Sequence, residues 1–444
     1  MLKNTKSITV SPPSIESVDL RIHNGKISER GKNLLPKRGE ELFDLKGKVV
    51  TPGFVCAHTH LYSSLSRGMP MPADPPRNFL EILQKIWWKL DRALDDEAIY
   101  YSALVGSIDT IRCGTTTLID HHASPKSIKG SLDIIKQALG EVGLRGVLCY
   151  EVTDRDGKKE RDQGLAENER FIRANKRNAN FRGLVGAHAA FTLSNDSLRL
   201  CGELAAKYKT GVHIHVAEDK CDVIDAEENY RCSVVERLLQ HKILKKESIL
   251  AHCVHLSPTD FSKISNAKCW LVHNPRSNMN NRVGYAPVHL FGERAAMGTD
   301  GFPTDMFEEA RTGYLRNREG RFKFQDSNDR LEVGGLRFEN VSLPNMLNNG
   351  QRLISEIFGE KFGTLEKGSA ADFIVVDYNS PTPMKNENLA GHFLFGMNSS
   401  MVESVMVGGK WVVKDREVIG VDVPEIFEKA GKAAKKLWER MKKI

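Results

Sequence analysis

The sequence predicts an α/β protein, in which a (β/α)8 barrel is joined by a small sheet domain built from both ends of the chain. Eight short apolar runs alternate with stretches of 3.6-residue periodicity, over the length of about 250 residues that such a barrel occupies. Both chain ends instead have the strand-and-turn pattern of an antiparallel sheet. No glycine-rich phosphate loop follows the first run, which disfavours the alternative of an open doubly wound sheet.

The elements follow in chain order. Residues 1–51 form the N-terminal part of the predicted sheet, because 18–22 alternate apolar and polar side chains and Asn24-Gly25 is a hairpin turn signal. The predicted barrel covers 52–360. Its eight predicted strands are 53–57, 115–119, 144–150, 182–186, 211–216, 248–251, 268–272 and 295–298.

The tail returns to strands and ends in a helix. Residues 361–420 form the C-terminal part of the predicted sheet, with a strand at 373–377 and a hairpin around Gly408-Gly409. Residues 421–444 form a basic helix, with seven basic and three acidic side chains from Pro424 onwards. We expect its polar face to be solvated and its apolar stripe to dock on the body, rather than the helix to act as a binding tail.

Composition excludes several classes of protein. The 64 Lys and Arg exceed the 57 Asp and Glu by only seven, which is too mild an excess for a nucleic-acid-binding surface. No signal sequence and no run of about 18 apolar residues is present, so we expect a cytoplasmic protein without a membrane partner. The eight cysteines are scattered singly and are expected to be reduced core residues.

Candidate metal ligands stand at the ends of the predicted barrel strands, where such barrels carry their catalytic groups. His58 and His60 are two residues apart in an extended segment, so both imidazoles face the same side. The fifth strand runs into His215 and Glu218, and the eighth into Asp300. Three histidines and a carboxylate suffice for Zn²⁺ or Fe²⁺, although Asp300 taken alone could equally be a helix N-cap.

Further histidines lie near the same rim. His252 ends the sixth strand and adds another imidazole there. His213 and His255 are interpreted as structural neighbours of the site rather than ligands. The pattern therefore predicts one metal centre built from at least four strand ends.

The residues at these strand ends resemble the amidohydrolase superfamily, and within it the branch of chlorohydrolases and adenosine-, guanine- and S-adenosylhomocysteine-type deaminases. The resemblance covers about residues 18–420 and implies a distorted (β/α)8 TIM barrel with a composite β-sandwich formed by both chain ends. Shorter segments are similar to the SsnA group of aminohydrolases in that branch. The main matching segments are 51–60, 212–218, 251–256, 273–279 and 298–301, and those of the SsnA group are 119–125, 305–309, 381–383 and 395–397.

The resemblance also implies roles for individual residues. The implied metal ligands are His58, His60, His215 and Asp300, and the implied catalytic residues are Glu218, His252 and Asp300. Two-metal members carry a carboxylated lysine after the fourth strand, but residues 183–191 contain no lysine. One divalent metal ion is therefore expected, with zinc preferred to iron(II).

Three residues, His188, His122 and Glu151, are predicted to contribute to substrate binding. His188 matches a substrate-contacting histidine of the deaminases. Glu151 is expected to bind substrate or to be solvated, with metal ligation as a less favoured alternative. His121 and His122 have no counterpart in the deaminase pattern, and His122 is included as a pocket residue.

The expected activity is hydrolytic deamination of a purine-, pyrimidine- or pterin-like amino-heterocycle by a metal-activated hydroxide. Hydrolysis of a cyclic amide, or displacement of chloride, could use the same site. A catalytically silent scaffold is disfavoured because the full set of ligands and catalytic residues is present. The expected partner is a small heterocyclic substrate. Neither a nucleic acid nor a membrane is expected as a partner, and the sequence is compatible with a homo-oligomer.

Overall fold

The computed structural model describes residues 1–324, 337–338 and 341–444. Eight parallel strands, each hydrogen-bonded to the next along the chain, form the barrel sheet. Thr299 N and Asp300 N donate to His58 O at 2.9 and 3.1 Å, which joins the last strand end to the first. The barrel strands are Phe54–Thr59, Thr115–His122, Arg145–Val152, Val185–Ala189, Val212–Val216, Ile249–His252, Trp270–His273 and Ala295–Met297.

The predicted barrel is confirmed, with one difference in its fourth strand. Residues 182–186 do not form a single strand: Phe181–Gly183 pairs with the third barrel strand only, and Val185–Ala189 pairs with both the third and the fifth. The fourth barrel strand therefore reaches Ala189. His188 is therefore the last residue but one of this strand, next to the rim.

Helices surround the barrel and several begin at polar caps. Ser194 caps Asn195–Tyr208, and Ser233 forms a capping box with Glu236. The α-helices are Phe79–Ile82, Trp88–Ala93, Asp96–Arg112, Ser131–Glu141, Lys158–Ala174, Asn195–Tyr208, Lys220–Tyr230, Val234–Gln240, Pro258–Ala267, Pro275–Asn280, Met306–Phe324, Leu343–Phe358, Leu389–Gly391 and Val423–Met441. Shorter helical turns include Leu61–Ser66, Leu83–Trp87 and Ala190–Thr192.

Both chain ends contribute to one continuous nine-stranded sheet, as expected of the composite domain. Val49–Pro52 is the joint, because it pairs in parallel with Leu2–Val10 and antiparallel with Phe373–Val376. Side chains from both ends, including Leu20 and Phe373, pack together in one hydrophobic core. The strands are Leu2–Val10, Pro13–His23, Lys26–Gly31, Phe43–Asp44, Val49–Pro52, Phe373–Val376, Val402–Val407, Lys410–Lys414 and Glu417–Val418.

The predicted domain boundaries at 51/52, 360/361 and 420/421 stay a prediction. The predicted barrel range, 52–360, includes some residues that lie outside the described part of the chain. A further described pair of strands, Arg337–Phe338 and Val341–Ser342, lies within that range. Arg145 links the barrel to the sheet by contacting Asp372 at 3.2 Å, with both side chains buried.

The C-terminal helix Val423–Met441 docks on the barrel through its apolar side, where Ala433 and Leu437 are fully buried. Trp438 Nε1 donates to Leu65 O at 2.9 Å, and Lys436 pairs with Glu97 at 2.8 Å on the exposed side. This arrangement agrees with the predicted apolar stripe and solvated face. None of the helices in the described parts of the chain combines the length and apolar character needed to cross a bilayer.

Candidate active site

Three histidine rings at the barrel rim are fixed through their Nδ1 atoms. His60 Nδ1 donates to His121 O at 2.6 Å, and His215 Nδ1 donates to His188 O at 2.8 Å. His58 Nδ1 lies 2.9 Å from His213 Nε2. Each ring is therefore held by a residue of another barrel strand, and its Nε2 atom faces the centre of the rim. Such orientation is what partner groups around a metal supply to histidine ligands.

The Nε2 atoms converge with a carboxylate. His58, His215, His252 and Asp300 each offer one ligand atom, all within 4.8 Å of one another. His60 Nε2 completes the group, at 3.0 Å from Asp300 Oδ1 and 3.1 Å from His215 Nε2. The four ligands expected from the sequence thus lie together, with His252 beside them.

The donor set fits a divalent metal ion. His58 Nε2 and His252 Nε2 are buried and find no hydrogen-bond partner among the described residues. Unpartnered buried nitrogens are costly unless a cation or water satisfies them. Burial also lowers the pKa of His58 to about 3, which keeps the ring neutral and able to ligate.

Asp300 is aimed at this centre by its backbone and by a serine. Its φ of 53° lies in the left-handed region, a strained conformation that the pairing of Thr59 with Asp300 holds in place. Ser277 Oγ donates to Asp300 Oδ2. The N-cap alternative for Asp300 is not supported, because its carboxylate contacts Ser277 and His60.

Glu218 lies next to the ligand group. Its Oε2 is 3.5 Å from His252 Nε2, and its Oε1 accepts from Asn281 Nδ2 at 3.2 Å. Burial raises the pKa of Glu218 to about 7, so this carboxyl can take up and release a proton near neutral pH. His252 is itself fixed, since its Nδ1 lies 2.8 Å from Asn278 Oδ1.

A cavity of about 310 Å³ opens beside these groups. His60, His215, Glu218 and Asp300 form part of its wall. The wall also carries aromatic side chains, which suit a flat heterocycle. These aromatic residues include Tyr62, Phe79, Trp87, Trp88, Phe191 and Phe302.

The predicted substrate residues occupy different places. His188 and Glu151 line the cavity, with His188 Nε2 3.9 Å from Glu151 Oε1. Glu151 is only 3% exposed, so its solvated alternative is excluded. His122 does not line the cavity: its Nε2 contacts Ser124 Oγ at 2.9 Å, behind the ring of Tyr62.

Sequence reasoning missed a buried ionic group on the cavity wall. Arg155 Nη2 donates to Asp91 Oδ2 at 3.0 Å and to Glu151 Oε1 at 3.3 Å, and its guanidinium lies 4.8 Å from the ring of Trp88. Asp91 and Arg155 are 64 residues apart, and no pattern in the sequence relates them. Asn278 and Asn281 could have been found from the sequence, because the short helix Pro275–Asn280 on which Asn278 lies, and which Asn281 ends, follows the seventh strand.

Fold and rim together define a barrel hydrolase whose candidate metal ligands, histidines and an aspartate, stand at the carboxyl ends of the strands. The chain belongs to the amidohydrolase family, whose model matches residues 49–333. Both the expected family and the expected class of hydrolase are thereby confirmed.

Named relatives cover nearly the whole chain. The 5-methylthioadenosine/S-adenosylhomocysteine deaminase of Thermoanaerobacter pseudethanolicus is 29% identical, over 99% of both chains. The 5′-deoxyadenosine deaminase of Methanobrevibacter smithii is 29% identical, over 95% of this chain and 94% of the relative. An adenosine deaminase from Xanthomonas campestris, solved with bound zinc, has a TM-score of 0.83 at 19% identity and 98% coverage of both chains. The zinc complex of the atrazine chlorohydrolase TrzN from Arthrobacter aurescens has a TM-score of 0.79 at 18% identity, over 98% of this chain and 99% of that one.

Proposed function

We propose that the protein is a metal-dependent aminohydrolase that deaminates an amino-substituted N-heterocycle with water. The observation that carries the proposal is the convergence of four rim histidines and Asp300 with Glu218 beside one cavity. Family membership and the deaminase relatives support a reaction at a carbon–nitrogen bond. Purine nucleosides, the class in the relatives' names, are the first substrates to test.

The proposed cofactor is one divalent ion, zinc rather than iron(II), held by His58, His60, His215 and Asp300. Nitrogen and carboxylate donors of this kind suit zinc, and two structures of the same fold contain it. The absence of lysine from 183–191 supports a single ion. When bound, such an ion would lower the pKa of a water molecule far below its ordinary value, toward about 7, and so would supply hydroxide at neutral pH.

The protein's own groups move the protons. Glu218 accepts the proton of the attacking water and passes it to the ring nitrogen beside the amino-bearing carbon. Asn281 holds one oxygen of Glu218, which leaves the other free for this exchange. His252 donates through Nδ1 to Asn278 Oδ1, and in its doubly protonated form it also donates through Nε2 to the oxygen that gains charge as it bonds to carbon. The second proton of the attacking water passes to the amino group, and cleavage of the carbon–nitrogen bond then releases ammonia and leaves a ring carbonyl.

His188 and Glu151 are the proposed substrate contacts, because both line the cavity beside the ligand group. His122 would act on the substrate only through Tyr62, whose ring lies 6.0 Å from its own and does line the cavity. The small-molecule partner proposed here is thus a heterocycle bound between the aromatic wall and the rim.

Ammonia release tests the proposal. Purified, zinc-loaded protein is incubated with adenosine, 5′-methylthioadenosine, 5′-deoxyadenosine, guanine, cytosine and pterin, and ammonia is measured by a coupled assay with metal content determined in parallel. We expect one ring class to give one ammonia per molecule consumed. Hydantoin and atrazine serve as contrasting substrates. Ring opening of hydantoin or chloride release from atrazine, without ammonia from any amino-heterocycle, would overturn deamination in favour of those reactions.

A further inference from the structure

We infer that the cavity selects uncharged or cationic heterocycles and rejects substrates that carry a phosphate or a carboxylate. This inference rests on the proposed deaminase function and adds the charge class of its substrate. Seven acidic side chains line the cavity, whereas Arg67 is the only lysine or arginine on the wall in the described part of the chain. The acidic residues are Asp91, Asp109, Glu151, Glu218, Asp219, Asp222 and Asp300.

Arg67 is not free to bind an anion. Its Nη2 contacts Asp109, another residue of the wall, and its side chain is 57% exposed at the cavity edge. The pair therefore adds no net charge to the wall.

The nearest buried cation, Arg155, is also engaged. A single nitrogen, Nη2, serves both Asp91 and Glu151, and Nε donates to Thr153 Oγ1 at 3.2 Å. Arg155 lies behind the wall and does not line it. Two carboxylates sharing one guanidinium leave a negative excess at this end of the cavity. Asp91 Oδ1, buried and without a partner among the described residues, is an acceptor and not an anion site.

The cavity wall keeps a negative excess when the protonation of its acidic groups and the charge of a bound metal ion are both counted. Burial raises the pKa of Asp91 and Glu218 to about 7 and that of Asp222 to about 6, so these groups carry only part of their charge at pH 7. The four other acidic groups are balanced by Arg67, Arg155 and a divalent ion, so the negative charge that Asp91 and Asp222 keep at pH 7 is left in excess. An anion brought into such a wall meets like charge in a poorly solvated space.

Matched substrate pairs test the inference with the zinc-loaded full chain. Adenosine is compared with adenosine 5′-monophosphate, and pterin with pterin-6-carboxylate, by kcat/KM for ammonia release and by calorimetric binding. We expect the uncharged member to be preferred by about 100-fold or more at low ionic strength, and less as salt is added. Equal or better use of the anionic members would overturn the inference. Lack of ammonia from every member would refute the proposed deamination instead, and the binding preference would still decide the charge question.

A cation placed on the wall provides the reciprocal test. Asn280 is exposed and lines the cavity, and Asn280→Lys is expected to improve kcat/KM for the monophosphate relative to adenosine by about tenfold. Asn229→Lys adds the same charge at an exposed position away from the cavity and serves as the matched control. An unchanged ratio in Asn280→Lys, or an equal change in both variants, would contradict selection by the cavity wall. Thermal melts confirm that both variants are folded.

Discussion

Replacing Glu218 with glutamine gives the sharpest test of the proposed mechanism. Glutamine has nearly the same shape, and its carbonyl oxygen can still accept from Asn281, whose Nδ2 lies 3.2 Å from Glu218 Oε1. The change removes only the ability to take and release a proton. We expect kcat for ammonia release to fall by about 10²–10⁴-fold, the usual contribution of a positioned acid–base group.

The stability of the same variant should move in the opposite direction. Burial raises the pKa of Glu218 from 4.5 to about 7, so the folded protein favours the neutral carboxyl. The stability linked to this group is complete below pH 4.5 and is lost as the pH rises through 7. At pH 8 in metal-free protein, the neutral amide therefore avoids a cost of up to about 3 kcal/mol. Glu218→Gln should then unfold at the same temperature as the natural protein or higher.

The assays are steady-state kinetics, elemental analysis of bound metal and thermal melts of metal-free protein at pH 5 and pH 8. Glu203→Gln, which alters an exposed carboxylate paired with Arg199, is the control for the loss of one charge. A near-normal kcat would remove Glu218 from proton transfer. A low kcat accompanied by loss of the metal would assign Glu218 to metal binding instead.

Three further outcomes are expected. Dialysis against a chelator should abolish ammonia release and one equivalent of zinc should restore it, whereas restoration that requires two equivalents would contradict the single-ion site. His213→Leu removes the 2.9 Å contact with His58 Nδ1 and should weaken zinc binding by about 10–100-fold in a competition titration. His255→Gln is the control, because the His255 ring hydrogen-bonds Val283 O and not a candidate ligand. The hydrogen bond from Arg21 lowers the pKa of Glu40 to about 2, so the ionised carboxylate stabilises the folded protein above pH 4.5. Glu40→Gln should therefore lower Tm at pH 7 by about 1–2 °C, and by progressively less toward pH 3.5. An equal difference in Tm at both pH values would show that the ion pair does not stabilise the fold.

Much of the barrel could be predicted from the sequence because its signal is local. Each barrel strand is buried over its whole length, so it appears as a continuous apolar run with helical periodicity between one run and the next. The ends of parallel strands meet at one rim, and this alone brings His58, His215 and Asp300 together. The split of 181–189 into two pairings could not be predicted in this way, because hydrogen-bond partners on neighbouring strands leave no trace in local hydrophobicity.

The supporting groups of the site were only partly predictable, for a physical reason. Asn278 and Asn281 lie on, and just after, the short helix Pro275–Asn280 that follows the seventh strand, and strand order places that helix. His122 is the last residue of its strand, yet it turns away from the cavity and contacts Ser124, because the side chains at the end of one strand alternate between opposite faces. Position along the strand therefore predicts nearness to the rim, but the direction of the side chain decides whether it reaches the cavity.

Net charge illustrates the same distinction between the chain and the site. The chain carries a formal charge of +7, a mild excess of basic side chains over its whole length. The cavity wall has the opposite sign, because its acidic side chains come from several separate segments. Arg67 is paired with Asp109 on the wall, and the buried Arg155 is held behind the wall by Asp91 and Glu151. A small substrate meets the local potential of the wall rather than the charge of the whole chain. The selectivity expected for uncharged heterocycles therefore follows from how these residues are packed, which composition does not encode.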